Sequence, residues 1–161
     1  MKFNKAVEKL KKSEVYKNWK KNHPEGYLVS SFVTADKEIG EWQIGFYSEK
    51  HDKITLFKIG KKITKDPEED VLKKKQKVPK LNIKNIKVEL DEILKKAELF
   101  QKKKYSQYPP VKKLIVVQNY DGKDVWNITY FTQSLKTLNM KFDASDGKLI
   151  DDGLIELFNF S

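Results

Sequence analysis

The chain of 161 residues contains no cysteine. That excludes disulfides, thiol catalysis and zinc–thiolate sites. Arginine is missing as well: the 33 basic residues are all lysine, set against 23 acidic ones for a net charge of +10. A lysine ammonium attracts any anion but lacks the planar fork that reads guanine or grips a phosphate through two parallel bonds. The composition therefore argues against sequence-specific DNA recognition, while salt-sensitive contact with nucleic acid or an anionic surface remains compatible with it. Only seven glycines occur, and none falls in a phosphate-cradling or dinucleotide fingerprint. No apolar run approaches the roughly 20 residues that span a bilayer. The opening stretch MKFNKAVEKLKKSEVYKNWKK is charged throughout, without the apolar core of a secretory signal. These features predict a soluble, cytoplasmic protein with no membrane span.

Catalytic groupings are equally sparse. His23 sits in the break NHPEG and His51 in the turn EKHDK, where both are expected to be exposed and apart, so no metal site is predicted. The serines lack a glycine elbow. The acidic run DPEED (66–70) has no ligand spacing, and DASDGK (143–148) lacks the terminal bidentate glutamate of a calcium loop, so it reads as a hairpin turn. No catalytic residue, cofactor or metal is expected, and the chain reads as non-enzymatic. The densest basic run, KKKQK, makes Lys73, Lys74 and Lys75 the first choice for anion contact.

What is present is a pattern. Apolar residues make up 39% and aromatics 12% of the chain, enough for a core. Residues 4–21 carry helical spacing through Ala6 and Leu10, and Pro24 and Gly26 end that run. Strand-like runs follow at 27–35, 41–49 and 53–59, with short turns that imply antiparallel hairpins. A charged, proline-bearing stretch reads as a linker over 64–86. A second helix is predicted over 87–104, with Leu90, Ile93, Ala97 and Phe100 on one stripe and acids before lysines, the polarity the helix dipole favours. Strands at 111–119, 124–133 and 136–144 come next, then a last strand or packed tail at 153–160.

The order helix, three strands, linker, helix, three strands suggests an internal repeat. Trp42 and Trp126 lie 84 positions apart, and that offset, applied without a gap, matches Leu10 with Leu94, Val33 with Val117, Ile44 with Ile128, Ile54 with Leu138 and Leu56 with Met140. Alternate residues of a strand share a face, so Trp42, Ile44 and Phe46 point one way, as do Trp126, Ile128 and Tyr130. Each tryptophan is expected to anchor a small core of its own. On the opposite face, Tyr47 and Phe131 are candidates either for a partner-binding platform or for the contact between the two units.

The WxIxY strand at Trp126–Tyr130 and the closing stretch FDASDGKLI (142–150) resemble the PepSY domain family, whose closing motif is an aspartate–alanine pair, a short gap, then glycine and an apolar residue. The first half is more degenerate, keeping Gly60 and Ile63 of LFKIGKKI without the Asp-Ala pair. The resemblance implies an α+β, cystatin-like fold in which a helix is cradled by a curved antiparallel sheet. Here that gives two tandem α-β-β-β units, 1–63 and 87–161, joined by the linker 64–86. It also implies a non-enzymatic role, since such domains bind or restrain other proteins. The expected function is thus a protein- or peptide-binding or regulatory module, with a basic, nonspecific nucleic-acid or anionic-surface binder as the alternative.

Overall fold

A computed structural model describes residues 1–70 and 77–156. It is an α+β protein built on one antiparallel sheet of nine strands. Helices α1 (Phe3–Lys12) and α2 (Glu14–Asn22) come first, then β1 (Tyr27–Ala35), β2 (Trp42–Ser48), β3 (Lys53–Ile59), β4 (Ile63–Lys65) and β5 (Glu69–Asp70). After a 3-10 turn at Ile83–Asn85 come α3 (Leu90–Lys104), β6 (Pro110–Tyr120), β7 (Lys123–Thr132), β8 (Lys136–Asp143) and β9 (Leu149–Glu156). The strands lie in the order β4-β3-β2-β1-β6-β7-β8-β9, with β5 beside β4 on the outer edge of β3.

The alternation along the strands decides which face is covered. Trp42, Ile44 and Phe46 on β2 and Trp126, Ile128 and Tyr130 on β7 are all buried, in one cluster with Phe3, Leu10, Ile93 and Ala97 of the helices. The expected pair of separate cores is corrected: the two indoles stand 6.2 Å apart, centroid to centroid, inside one continuous core. The sheet is continuous because β1 pairs with β6. Phe32 faces Val116 in that pairing, and these two residues stand 84 positions apart, the spacing that also separates the tryptophans. The inner hairpins share that spacing, since Ser31 faces Ile44 in one and Ile115 faces Ile128 in the other.

The ungapped match fails in the third strands. Trp42 faces Ile59, whereas Trp126 faces Phe142, only 83 positions on. Four residues join β2 to β3 but three join β7 to β8. A slip of one residue turns every side chain to the other face. The structural counterparts of Leu138 and Met140 are accordingly Thr55 and Phe57, all four buried, and not Ile54 and Leu56.

Two further expectations change. The helix predicted over 4–21 is broken at Ser13, whose ψ of 149° is extended; its hydroxyl donates to the Leu10 carbonyl at 2.6 Å and accepts from the Tyr16 N–H at 3.2 Å. Serine at such a position competes with helix continuation by capping the next helix. The stretch 64–86 is more than a linker. Within it β4 ends, β5 pairs with β3, and Leu81 and Ile86 enter the core. Where described, its later part is held by irregular bonds: Leu81 N–H donates to the Leu28 carbonyl at 2.9 Å, and the Tyr27 hydroxyl to the Val78 carbonyl at 2.7 Å.

Asp124, buried at the start of β7, ties this stretch to the second half. Its carboxylate accepts from the side-chain amides of Asn85 at 2.8 Å and Asn119 at 3.0 Å. The adjoining hairpin turns on Asp121 and Gly122, both with positive φ, the two-residue turn that matches strand twist. Asp124→Ala leaves two amides without their acceptor and is expected to cost about 1–3 kcal/mol. Urea unfolding checks this, with a lowered midpoint at unchanged slope as the expected result.

Candidate functional site

Three places in the fold gather side chains that could act on something outside the chain. The first lies where α1 and α3 begin. Trp42 Nε1–H donates to the Met1 carbonyl at 2.8 Å, and Trp126 Nε1–H to the Val88 carbonyl at 3.0 Å. Each acceptor immediately precedes the N-cap residue of a helix, Lys2 for α1 and Glu89 for α3. Those two residues face each other in an exposed ion pair at 3.6 Å. Beneath them a cavity of about 220 Å³ is walled by both indoles, Phe3, Ile39, Ile86 and Leu90. Trp42 and Trp126, expected as structural anchors, are both buried; their joint role as the wall of one cavity has no signature in a single strand.

The second place is the end of α2. His23 is buried, and this corrects the expectation of an exposed turn residue. Its ring lies flat on Trp19 at 4.6 Å and 8°, Nδ1–H donates to the Trp19 carbonyl at 2.8 Å, and Nε2 stands 2.7 Å from a Glu68 carboxylate oxygen without hydrogen-bond alignment. The His51 ring comes within 4.5 Å of it, so the two histidines converge after all. They meet because the β2–β3 hairpin folds back against the helix end. Among the described residues no group of three ligating side chains could hold a metal ion. Gly26 allows this packing, since a Cβ there would stand 2.4 Å from the Trp19 ring. Next to it, Glu25 accepts a short hydrogen bond from the Ser48 hydroxyl and another from the Lys50 N–H at 3.2 Å. The Ser48 bond leads the causes that hold the Glu25 carboxyl down at about 2.

The third place is the outer edge of β9. This strand pairs with β8 on one side, and no strand lies on its other side among the described residues. Ile150 and Ile155 stand exposed along it, at 40% and 57%. Asp152 is held from the helix side: the Tyr105 hydroxyl donates to it at 2.5 Å and Lys104 at 2.9 Å. Those two bonds lower the Asp152 carboxyl, while the same Asp152 contact raises Tyr105.

The sheet face away from the helices does not offer the expected aromatic platform. Tyr47 is fully buried, its hydroxyl donating to Asp52 at 2.6 Å and its ring meeting the edge of Tyr27 at 5.7 Å. Phe131 is half-buried, at the far end of the sheet, opposite Thr137. The two rings are not brought together, because two strands, β1 and β6, lie between β2 and β7. Alternation placed both on the correct face but carried no information about what covers it. Lys73, Lys74 and Lys75 lie outside the described residues. Lys77, which follows them, pairs with Glu49 at 3.1 Å, and Lys53, Lys58, Lys96, Lys102, Lys104 and Lys141 likewise face carboxylates.

No known family profile and no curated protein matches the chain. Among solved structures it is similar to a "putative lipoprotein" of Clostridium difficile 630, with a TM-score of 0.56 and 9% identity over 88% of this chain and 91% of that one. Likeness at this identity concerns the fold alone. Among the described residues no helix is long and apolar enough to cross a membrane.

Two outcomes follow from the ionisable groups. The Glu25 carboxyl is displaced downward from 4.5, so the tie to Ser48 holds above its ordinary value and is lost as pH falls through about 2. In a carbon-13 NMR titration, Ser48→Ala is expected to return Glu25 toward 4.5. Tyr130, by contrast, is pushed up to about 12, first by burial and then by the Glu98 charge, and its buried hydroxyl has no hydrogen-bond partner among the described residues. Removing an unpaired buried hydroxyl relieves a desolvation cost. Tyr130→Phe is expected to leave stability unchanged or raise it by about 1 kcal/mol, read by thermal unfolding.

Proposed function

We propose that the protein is a non-enzymatic tandem module of two PepSY-like α-β-β-β units that binds an extended segment of another protein along the outer edge of β9. The observation that carries this reading is the edge itself: seven of the eight residues of β9 pair with β8, Ile150 standing at a bulge, and among the described residues no strand lies on the other side. A strand edge offers a row of backbone donors and acceptors, to which an extended peptide adds as a further strand. The opposite end of the sheet is less open, since β4 and β5 both lie on β3. Ile150 and Ile155 supply apolar contacts, and exposed Glu156 offers a carboxylate at the end of the strand, while Asp151 already faces Lys141 at 3.6 Å. An incoming strand with alternating apolar and basic side chains suits both.

The tandem reading draws support from the shared spacing of 84 positions in the inner hairpins and at the Phe32–Val116 pair. It draws more from the matching bonds of the two indoles to carbonyls ahead of α1 and α3. The non-enzymatic reading is supported by the dispersal of the displaced ionisable groups: Glu25, Tyr130 and the Tyr105–Asp152 pair lie in three different places. The alternative of an anion-binding surface gains little, because so many described lysines already face carboxylates.

A displayed library of random peptides tests the proposal. Selected sequences are expected to alternate apolar and basic residues and to slow amide hydrogen exchange along 149–156. Ile155→Lys, an exposed substitution that puts a gatekeeping charge on the edge, is expected to abolish binding with the fold intact. Peptides that bind without protecting β9 would contradict the reading.

A further inference from the structure

His23 and the acidic stretch Asp66–Asp70 meet at the end of the sheet opposite β9. We infer that His23 and Glu68 form a proton-operated latch, which fastens that stretch as a strap along the outer edge of β3. The bonds of the ring set its chemistry. A carbonyl only accepts, so the Nδ1 that stands 2.8 Å from the Trp19 carbonyl carries a hydrogen. In the neutral ring Nε2 is then a bare acceptor. It is shut off from water, has no hydrogen-bond partner among the described residues, and stands 2.7 Å from a Glu68 carboxylate oxygen. Two acceptors at that distance repel each other. One added proton turns the contact into a charge-assisted bond, and the Glu68 side chain, 30% exposed, is free to turn into line. The Trp19 ring, flat against His23 at 4.6 Å, offers the charged imidazole an aromatic face.

The strap is lightly held without that proton. Asp66, Glu68, Glu69 and Asp70 put four acids in five residues, and like charges so close repel. β5 adds only two residues to the sheet, pairing Glu69 with Ile54 and Asp70 with Lys53. Asp66 N–H gives one more bond, to the Leu56 carbonyl at 2.9 Å. Lys53 faces the strap from β3, 2.8 Å from Asp70, and His23 faces it from the end of α2. When His23 is neutral, one of those two cations is gone. Other charged groups surround the ring. His51 approaches from the β2–β3 turn at 4.5 Å, and Lys20 on α2 gives its ammonium to the Gly26 carbonyl at 2.7 Å. Glu25, bonded to Ser48, has its carboxyl held down first by that bond and last by the His51 charge. A charge on His51 opposes one on His23, and Glu25 offsets it. Closure needs a charged carboxylate and a charged imidazole together, so it holds in mildly acidic solution and is lost as the ring gives up its proton. Opening bares the β3 edge from Lys53 to Leu56, a row of backbone groups to which another extended chain can add.

Amide hydrogen exchange of the full chain at about pH 5.5 and about pH 8, values that bracket the usual charge change of histidine, tests the latch. Rates are expressed as protection relative to an unstructured chain, which removes the intrinsic effect of pH. Protection of Asp66 and of β5 is expected to fall about 3- to 10-fold at the higher pH, the effect of a charged bond with one partly exposed partner. Protection along the β1–β6 seam is expected to stay level. Glu68→Gln keeps the shape of the side chain without its charge and is expected to remove the dependence on pH. His51→Gln is expected to leave it in place. Both positions are exposed, so neither substitution disturbs the core. Equal protection at the two pH values, a fall shared by the seam, a fall that survives Glu68→Gln or one lost with His51→Gln would each overturn the inference. Should either variant fail to fold, the comparison of strap and seam on the unaltered chain decides alone.

Discussion

A buried indole N–H must find an acceptor, and this chain has two of them side by side in the middle of its core. Leaving either unpaired would cost about 1–3 kcal/mol. Each is satisfied by a carbonyl just ahead of a helix, Met1 for Trp42 and Val88 for Trp126. The bond does more than satisfy a donor, because it fixes where each helix begins over the sheet. From those starting points Phe3, Ala6 and Leu10 of α1, and Leu90, Ile93 and Ala97 of α3, fall onto the strands in order. The cavity is the space left between two helix starts that are pinned to neighbouring rings yet held apart by the rings' bulk.

The same region is reinforced from the other side of the chain. Lys87 and Val88 N–H both donate to the Ala144 carbonyl, at 2.9 and 3.0 Å, and Ala144 N–H donates to the Asp124 carbonyl at 3.0 Å. The stretch before α3 is thus stitched to the closing turn of β8 and to the start of β7 at once. That turn has the simple geometry expected of DASDGK: Asp143 Oδ1 accepts from the Ser145 N–H at 2.8 Å and Gly147 takes a positive φ of 76°. Its short polar residues organise their own backbone.

Much of this arrangement is legible in the residues, and the rest is not for definite reasons. Alternation in WQIGFY and WNITYF marks the strands and their covered face, and the lysine-rich ends of the helical stretches mark where they stop. The helix break at Ser13 was written in the sequence too, as a capping residue followed by Glu14, but apolar spacing on both sides masks it. The one-residue difference between the β2–β3 and β7–β8 turns is invisible to an ungapped comparison, because Ile54 and Leu56 resemble Leu138 and Met140 in type while pointing to the other face. Local sequence says nothing of the long-range contacts that buried Tyr47 under its neighbours, brought His51 onto His23, or set two tryptophans against one another. The meeting of the tryptophans depends on β1 pairing with β6, segments about half a chain apart.

That seam has a consequence for how the molecule comes into being. Residues of β1 find their partners Lys113 to Gln118 only after roughly eighty more amino acids have been joined. Until then the inner side of β1, destined for the centre of a nine-stranded sheet, is a bare rim that any other extended chain could occupy. A first half folded ahead of Lys113 would carry that rim uncovered, and the arrival of β6 is what closes it.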